Sequence, residues 1–129
     1  MSIETAAGCE AVVAAARLLG PPLILVNSAG LGGYLDHSIF EQRSEGWRTM
    51  MAVNLDAPFE LSRHLAHDIR KAGFGRIIMI SSTAGEFGAP SMTAYCASKH
   101  GVIGLARAIA HDIAPFGATC NAVLPSWVR

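Results

Sequence analysis

The apolar positions along the chain fall into two alternating periods. Residues 4–19 are alanine-rich with apolar side chains at helical spacing, and Gly20, Pro21 and Pro22 stop that helix. "LILV" at 23–26 is a short, fully apolar run of the kind buried on both sides of a parallel sheet, and a glycine-rich turn, "NSAGLGG" at 27–33, follows it. "SIFE" at 38–41 fits a capping box with Ser38 and Glu41 as the reciprocal pair. A long helical stretch over roughly 45–72 comes next and closes at Gly73, with Arg70 and Lys71 in its last turn. "RIIMIS" at 76–81 reads as a second strand and residues 82–92 as a loop. From 94 to 114 the helical period returns, with Val102, Ala106, Ile109 and Ile113 on one stripe, and "ATCNAVL" at 118–124 is a third strand. The order α-β-α-β-α-β predicts an α/β fold: a parallel sheet with right-handed crossovers and helices on both faces.

In such sheets ligands bind beyond the carboxyl ends of the strands. Here those ends are Asn27–Gly30, Ser81–Ser82 and Pro125–Val128, and three candidates for chemistry lie at or near them. Tyr95 and Lys99 are four residues apart on a helix and share a face. An ammonium beside a phenol favours the phenolate, which makes a tyrosine usable as an acid or base near neutrality. The same spacing also occurs in surface pairs that do nothing. Ser82 directly follows a strand, so its hydroxyl lies at the same sheet edge, where it either binds a substrate oxygen or merely caps the strand. Asn54 lies inside the long helix four residues before Pro58. Proline has no N–H, so the Asn54 carbonyl loses its helical donor; a kink is expected there, and the freed carbonyl is suited to an ordered water.

Composition narrows the class. Among 129 residues, 51% are hydrophobic, and ten Lys and Arg balance ten Asp and Glu, so no basic field points to nucleic acid or an anionic membrane. No apolar run is long enough to span a bilayer, and the start of the chain lacks the features of a secretory signal. Cys9, Cys96 and Cys120 form no CxxC pair and are expected to be buried free thiols in a reducing cytoplasm. His64 and His67 share a helix face with Arg63 and Asp68 beside them, which reads as solvated surface, and no metal site is expected.

"LVNSAG", "VNL" at 53–55, "GRIIMISS", "YCASKHG" and "NAVLPSWV" occur in the order and approximate spacing of the short-chain dehydrogenase/reductase family, which nearly the whole chain resembles. The resemblance implies a partial doubly wound Rossmann fold of three parallel strands with flanking helices. It implies an NAD(P)-dependent oxidoreductase, similar to the simple ketoreductases, that interconverts a ketone or aldehyde and an alcohol; the choice between NAD and NADP stays open. By resemblance Tyr95 is the catalytic acid/base, Lys99 its activating cation and a ribose ligand, and Ser82 the residue that orients the substrate oxygen. Asn54 would hold the water of a proton relay through its main chain. Asn27, Ala29 and Gly30 match a motif near the adenosine side of the cofactor, and Pro125, Ser126 and Val128 match a segment bordering the nicotinamide. Ser28 and Ser126 depart from the asparagine and glycine usual at their positions, and a serine at 126 is strained if the backbone there needs positive φ.

The family's phosphate-binding TGxxxGxG turn has no counterpart here. Residues 1–129 therefore resemble a partial domain without the N-terminal glycine-rich βαβ unit and the C-terminal lid. Weak NAD(P)H binding by the 129 residues alone is the corresponding expectation, and sub-millimolar affinity in calorimetry would contradict it. By resemblance the protein acts on a small molecule in the cytoplasm as a homo-oligomer packed through helices 45–72 and 94–114. A catalytically inactive association module is the alternative.

Overall fold

The computed structural model describes residues 2–126. Helix α1 (Ala6–Arg17) leads into strand β1 (Ile24–Asn27); α2 (Ser44–Met51) and α3 (Ala57–Ala72) lead into β2 (Gly75–Ile80); α4 (Thr93–Ile113) leads into β3 (Ala118–Val123). The strands form one parallel sheet in the order β1-β2-β3, with Leu25 beside Ile77 and Ile77 beside Cys120. All three strands lie within one residue of where the apolar runs place them.

Each helix boundary has a local cause. Thr5 caps α1, its hydroxyl accepting from the Gly8 N–H at 3.1 Å. Gly73 closes α3 in the left-handed conformation (φ 66°), which glycine adopts without strain. Arg17 on α1 pairs with Asp68 on α3 at 2.7 Å, the arginine exposed and the aspartate half-buried. "SIFE" does not start a helix. The Ser38 and Glu41 side chains meet at 3.4 Å, but the chain makes one turn, and the Gln42 side chain ties that turn back to the His37 N–H and the Leu35 carbonyl. The helix begins only at Ser44.

The long helix is interrupted where Pro58 requires it. Residues Ala52–Asp56 form a π turn in which the Ala57 N–H bonds the carbonyl of Ala52, five residues back. The bulge directs Val53 and Asn54 into the interior.

The expectation of helices on both faces is overturned. Consecutive parallel strands in the order 1-2-3 advance in one direction, so right-handed crossovers bring every described connecting helix to the same face. Ile77, Met79, Ala118 and Cys120 pack there against Cys9 and Val13 of α1, Leu61, Leu65 and Ile69 of α3, and Val102, Ala106 and Ile113 of α4. Fully burying each valine, leucine, isoleucine or methionine among these contributes about 1.5–3 kcal/mol. The opposite face is open among the described residues, with Ile24 62% and Val26 53% exposed.

Cys9 and Cys120 are buried as expected, whereas Cys96 is only half-buried. Burial in the core pushes the Cys120 thiol up to about 11 from its ordinary 9.0. Between these values the folded state holds a proton that the unfolded state has released. The thiol's contribution to stability is therefore complete below pH 9 and lost as pH rises toward 11. Urea denaturation across that range should show Cys120→Ala falling less steeply with pH than the parent, by on the order of 1 kcal/mol. Parallel curves would contradict this.

Candidate active site

The ends of β1 and β2, the turn after β2 and the start of α4 surround one cleft of about 630 Å³. Gly30, Ser82, Tyr95, Lys99, Pro125 and Ser126 all line it, so residues spread over nearly a hundred positions meet as the sequence motifs suggested. Among the described residues no helix is long and apolar enough to cross a membrane, and no cluster of three His, Cys, Asp or Glu could hold a metal ion.

The turn after β2 separates two adjacent serines. Ser81 donates its hydroxyl to the Lys99 carbonyl at 2.9 Å and so fastens the strand end to α4. Ser82 accepts from the Ala84 N–H at 3.1 Å, capping a short 3-10 turn at Thr83–Gly85. A hydroxyl used as an acceptor keeps its own proton to donate, and that of Ser82 lies at the cleft. Gly85 lets this turn approach α4 closely: a Cβ there would come within 2.7 Å of Ser81 Oγ and of Ile103. The Ser81 N–H bonds the Val123 carbonyl at 2.8 Å and the Thr83 N–H bonds that of Pro125 at 3.1 Å, which holds the segment after β3 beside Ser82.

Lys99 is 5% exposed, which removes the surface-pair reading. Its ammonium donates to the Ile80 carbonyl at 2.9 Å and lies 5.5 Å from the centre of the Tyr95 ring. That carbonyl is its one hydrogen-bond partner among the described residues, so two of its protons remain for ligand oxygens. Burial pushes the ammonium below its ordinary value of 10.5. Gly30 lies beside this cation: a Cβ there would be in ordinary contact, at 3.5 Å, with both Lys99 Nζ and Asn54 Oδ1.

Asn54 does not line the cleft; it holds the loop that does. Its Oδ1 accepts from the Leu31 N–H at 2.7 Å, and its Nδ2 donates to the Leu31 carbonyl at 2.9 Å and to Ser98 Oγ at 3.1 Å. Ser98 in turn donates to the Tyr95 carbonyl at 2.8 Å. A hydrogen-bonded chain thus runs from the loop after β1, through the π turn, to α4. The backbone carbonyl of Asn54 has no α-helical donor, because the residue four positions on is Pro58.

Two expected cofactor contacts do not reach the cleft. The Asn27 side chain is buried under the sheet, with its Nδ2 near Met79 Sδ (3.1 Å) and Ser62 Oγ (3.5 Å). The alternation of β1 turns it toward α3. Ala29 is exposed outside the cleft lining. Val128 lies outside the described residues. The sequence reading also missed Ser98, Asp36 and Leu31. Ser98 had a signal: it stands one helical turn before Val102 on the apolar stripe, where a hydroxyl needs a partner. Leu31 takes part through its backbone alone and leaves no such mark.

The residues present fit the nicotinamide end of a dinucleotide. A buried cation with protons to spare, the Gly30 backbone beside it and the half-open hydroxyl of Ser82 share one wall. Residues 1–129 match the family described as short chain dehydrogenase. The chain is 42% identical over 107 residues to Nodulation protein G of Rhizobium sp. (strain N33), a match covering 82% of this chain and 42% of that protein. It is 38% identical over 105 residues to the 3-oxoacyl-(acyl-carrier-protein) reductase FabG of Haemophilus influenzae, covering 81% of this chain and 43% of that one. A solved structure described as 4-hydroxyisoleucine dehydrogenase complexed with NADH superposes with a TM-score of 0.92 at 27% identity, over 100% of this chain and 57% of the other. The chain thus spans about half the length of the relatives it matches. Motifs, sheet topology and these likenesses agree: the chain belongs to the short-chain dehydrogenase family.

Proposed function

We propose that the protein is an NAD(P)-dependent oxidoreductase that reversibly reduces a ketone or aldehyde to an alcohol, with Tyr95 as proton donor. The observation that carries this reading is the meeting of Ser82, Tyr95 and the buried Lys99 ammonium at one cleft. The cofactor, when bound, supplies the hydride, which no side chain can provide. Gly30, Lys99, Pro125 and Ser126 would hold it. Ser82 donates its free hydroxyl proton to the substrate oxygen and orients the carbonyl. Tyr95 delivers its phenol proton to that oxygen as negative charge develops there. Lys99 stabilises the phenolate that remains and binds ribose hydroxyls with its two free N–H groups. The Asn54 carbonyl is suited to hold a water that returns a proton toward Lys99 and Tyr95.

The test is the oxidation of NADH and NADPH, with a panel of ketones and aldehydes, by these residues within a full-length family domain that includes the glycine-rich βαβ unit. Carbonyl-dependent loss of reduced cofactor, with alcohol formed in equal amount, is expected. A folded protein that binds either cofactor and turns over no carbonyl compound would overturn the reading.

A further inference from the structure

The first turn of α4 carries Tyr95, yet nothing in its own segment caps it. The first internal bond is from the Cys96 N–H to the Met92 carbonyl, so the amides of Thr93, Ala94 and Tyr95 have no helical acceptor. Met92 stands at the capping position and its side chain accepts nothing. All three amides are satisfied by two residues nearly sixty positions away. Asp36 Oδ1 accepts from Ala94 N–H at 2.9 Å and Tyr95 N–H at 3.3 Å, and the His37 carbonyl accepts from Thr93 N–H at 3.4 Å. Asp36 is 9% exposed. The same loop also runs beside the tyrosine: a Cβ on Gly32 would lie 3.4 Å from the ring. Its near end is clamped at Leu31 by Asn54. The loop is therefore fixed to Asn54 at one end and to the Tyr95 turn at the other.

We infer that Asp36 is a positioning residue for Tyr95: its carboxylate caps α4 from the loop after β1 and so holds the tyrosine ring beside Gly32 and over the Lys99 ammonium. Local sequence cannot supply this cap, because methionine has no oxygen to offer at residue 92. An acidic side chain at a helix N-terminus also meets the positive end of the helix dipole. Asp36 Oδ2 has no hydrogen-bond partner in the chain, so an asparagine keeps every bond that the aspartate makes. The catalytic importance of this placement rests on the role proposed for Tyr95; the placement itself does not.

The experiment compares the parent with Asp36→Ala and Asp36→Asn by residue-resolved amide exchange and by the nuclear Overhauser contact between the Tyr95 ring and Gly32. In Asp36→Ala the amides of Ala94 and Tyr95 should exchange roughly tenfold faster, the fold-change typical of a lost cap, with Val102 and Ala106 unchanged. The ring contact should weaken. Asp36→Asn should restore both. An alanine variant with unchanged exchange at 94 and 95 or an intact ring contact would overturn the inference. So would a uniform acceleration across α4 in both variants, which marks general support of the fold. Neither readout needs turnover, so failure here is told apart from failure of the proposed reaction. In an active protein, kcat should fall in Asp36→Ala with the KM for cofactor unchanged, and recover in Asp36→Asn.

Discussion

In the chain restored to the family's full length, Tyr95→Phe is expected to lower carbonyl reduction by about 10²–10⁴-fold, the usual contribution of a positioned acid, and to leave cofactor affinity nearly unchanged. Phenylalanine keeps the ring that lies beside Gly32 and within 5.5 Å of the Lys99 ammonium, so packing survives and only the proton is lost. The hydrogen bonds that Tyr95 makes to Asp36 and Ser98 are through its backbone and remain. Steady-state kinetics read the rate, and a fluorescence titration reads the affinity. A phenylalanine variant with most of its activity would show that the tyrosine is not the donor.

Lys99→Met should reduce both rate and cofactor affinity. The ammonium serves the phenol and the ribose together in the proposed reaction, so its loss should lower the rate by about 10²-fold or more. The stability cost should be modest: methionine fills similar space and removes a charge whose burial is unfavourable, but the Ile80 carbonyl loses its Lys99 donor, at about 1 kcal/mol or more. An exposed pair behaves differently: its loss changes stability by about 1 kcal/mol or less and leaves the rate intact. The pH profile adds a signature. Burial lowers the pH at which Lys99 loses its proton, so activity that needs the charged form should decline on the alkaline side before 10.5. A methionine variant should lack that limb. Equal kinetics for parent and variant at every pH would contradict the role given to Lys99.

Much of this site can be read from the sequence because its parts sit next to strong local signals. Ser82 follows an apolar strand, and Tyr95 and Lys99 share a helix face. Pro58 announces a break in the long helix, although its form, a π turn that buries Asn54, depends on the helix continuing on both sides. What could not be read is long-range. "LILV" has the composition of a strand covered on both faces, but the strand order leaves one face open among the described residues. Asn27 looks like a ligand because it ends a strand, and the side-chain alternation sends it to the core instead. Ser38 and Glu41 meet as a capping pair would, with no helix behind them. Asp36 is invisible as a cap because the helix it serves begins 57 residues later.

The most direct measurement of the central claim follows one label. The full-length protein is incubated with a carbonyl substrate and reduced cofactor deuterated at the transferring carbon, and the product is analysed by mass spectrometry. The account predicts one deuterium on the carbinol carbon of the alcohol from the parent protein, and at most about a hundredth as much labelled alcohol from Tyr95→Phe. Alcohol without the label, or equal labelled product from parent and variant, would contradict it.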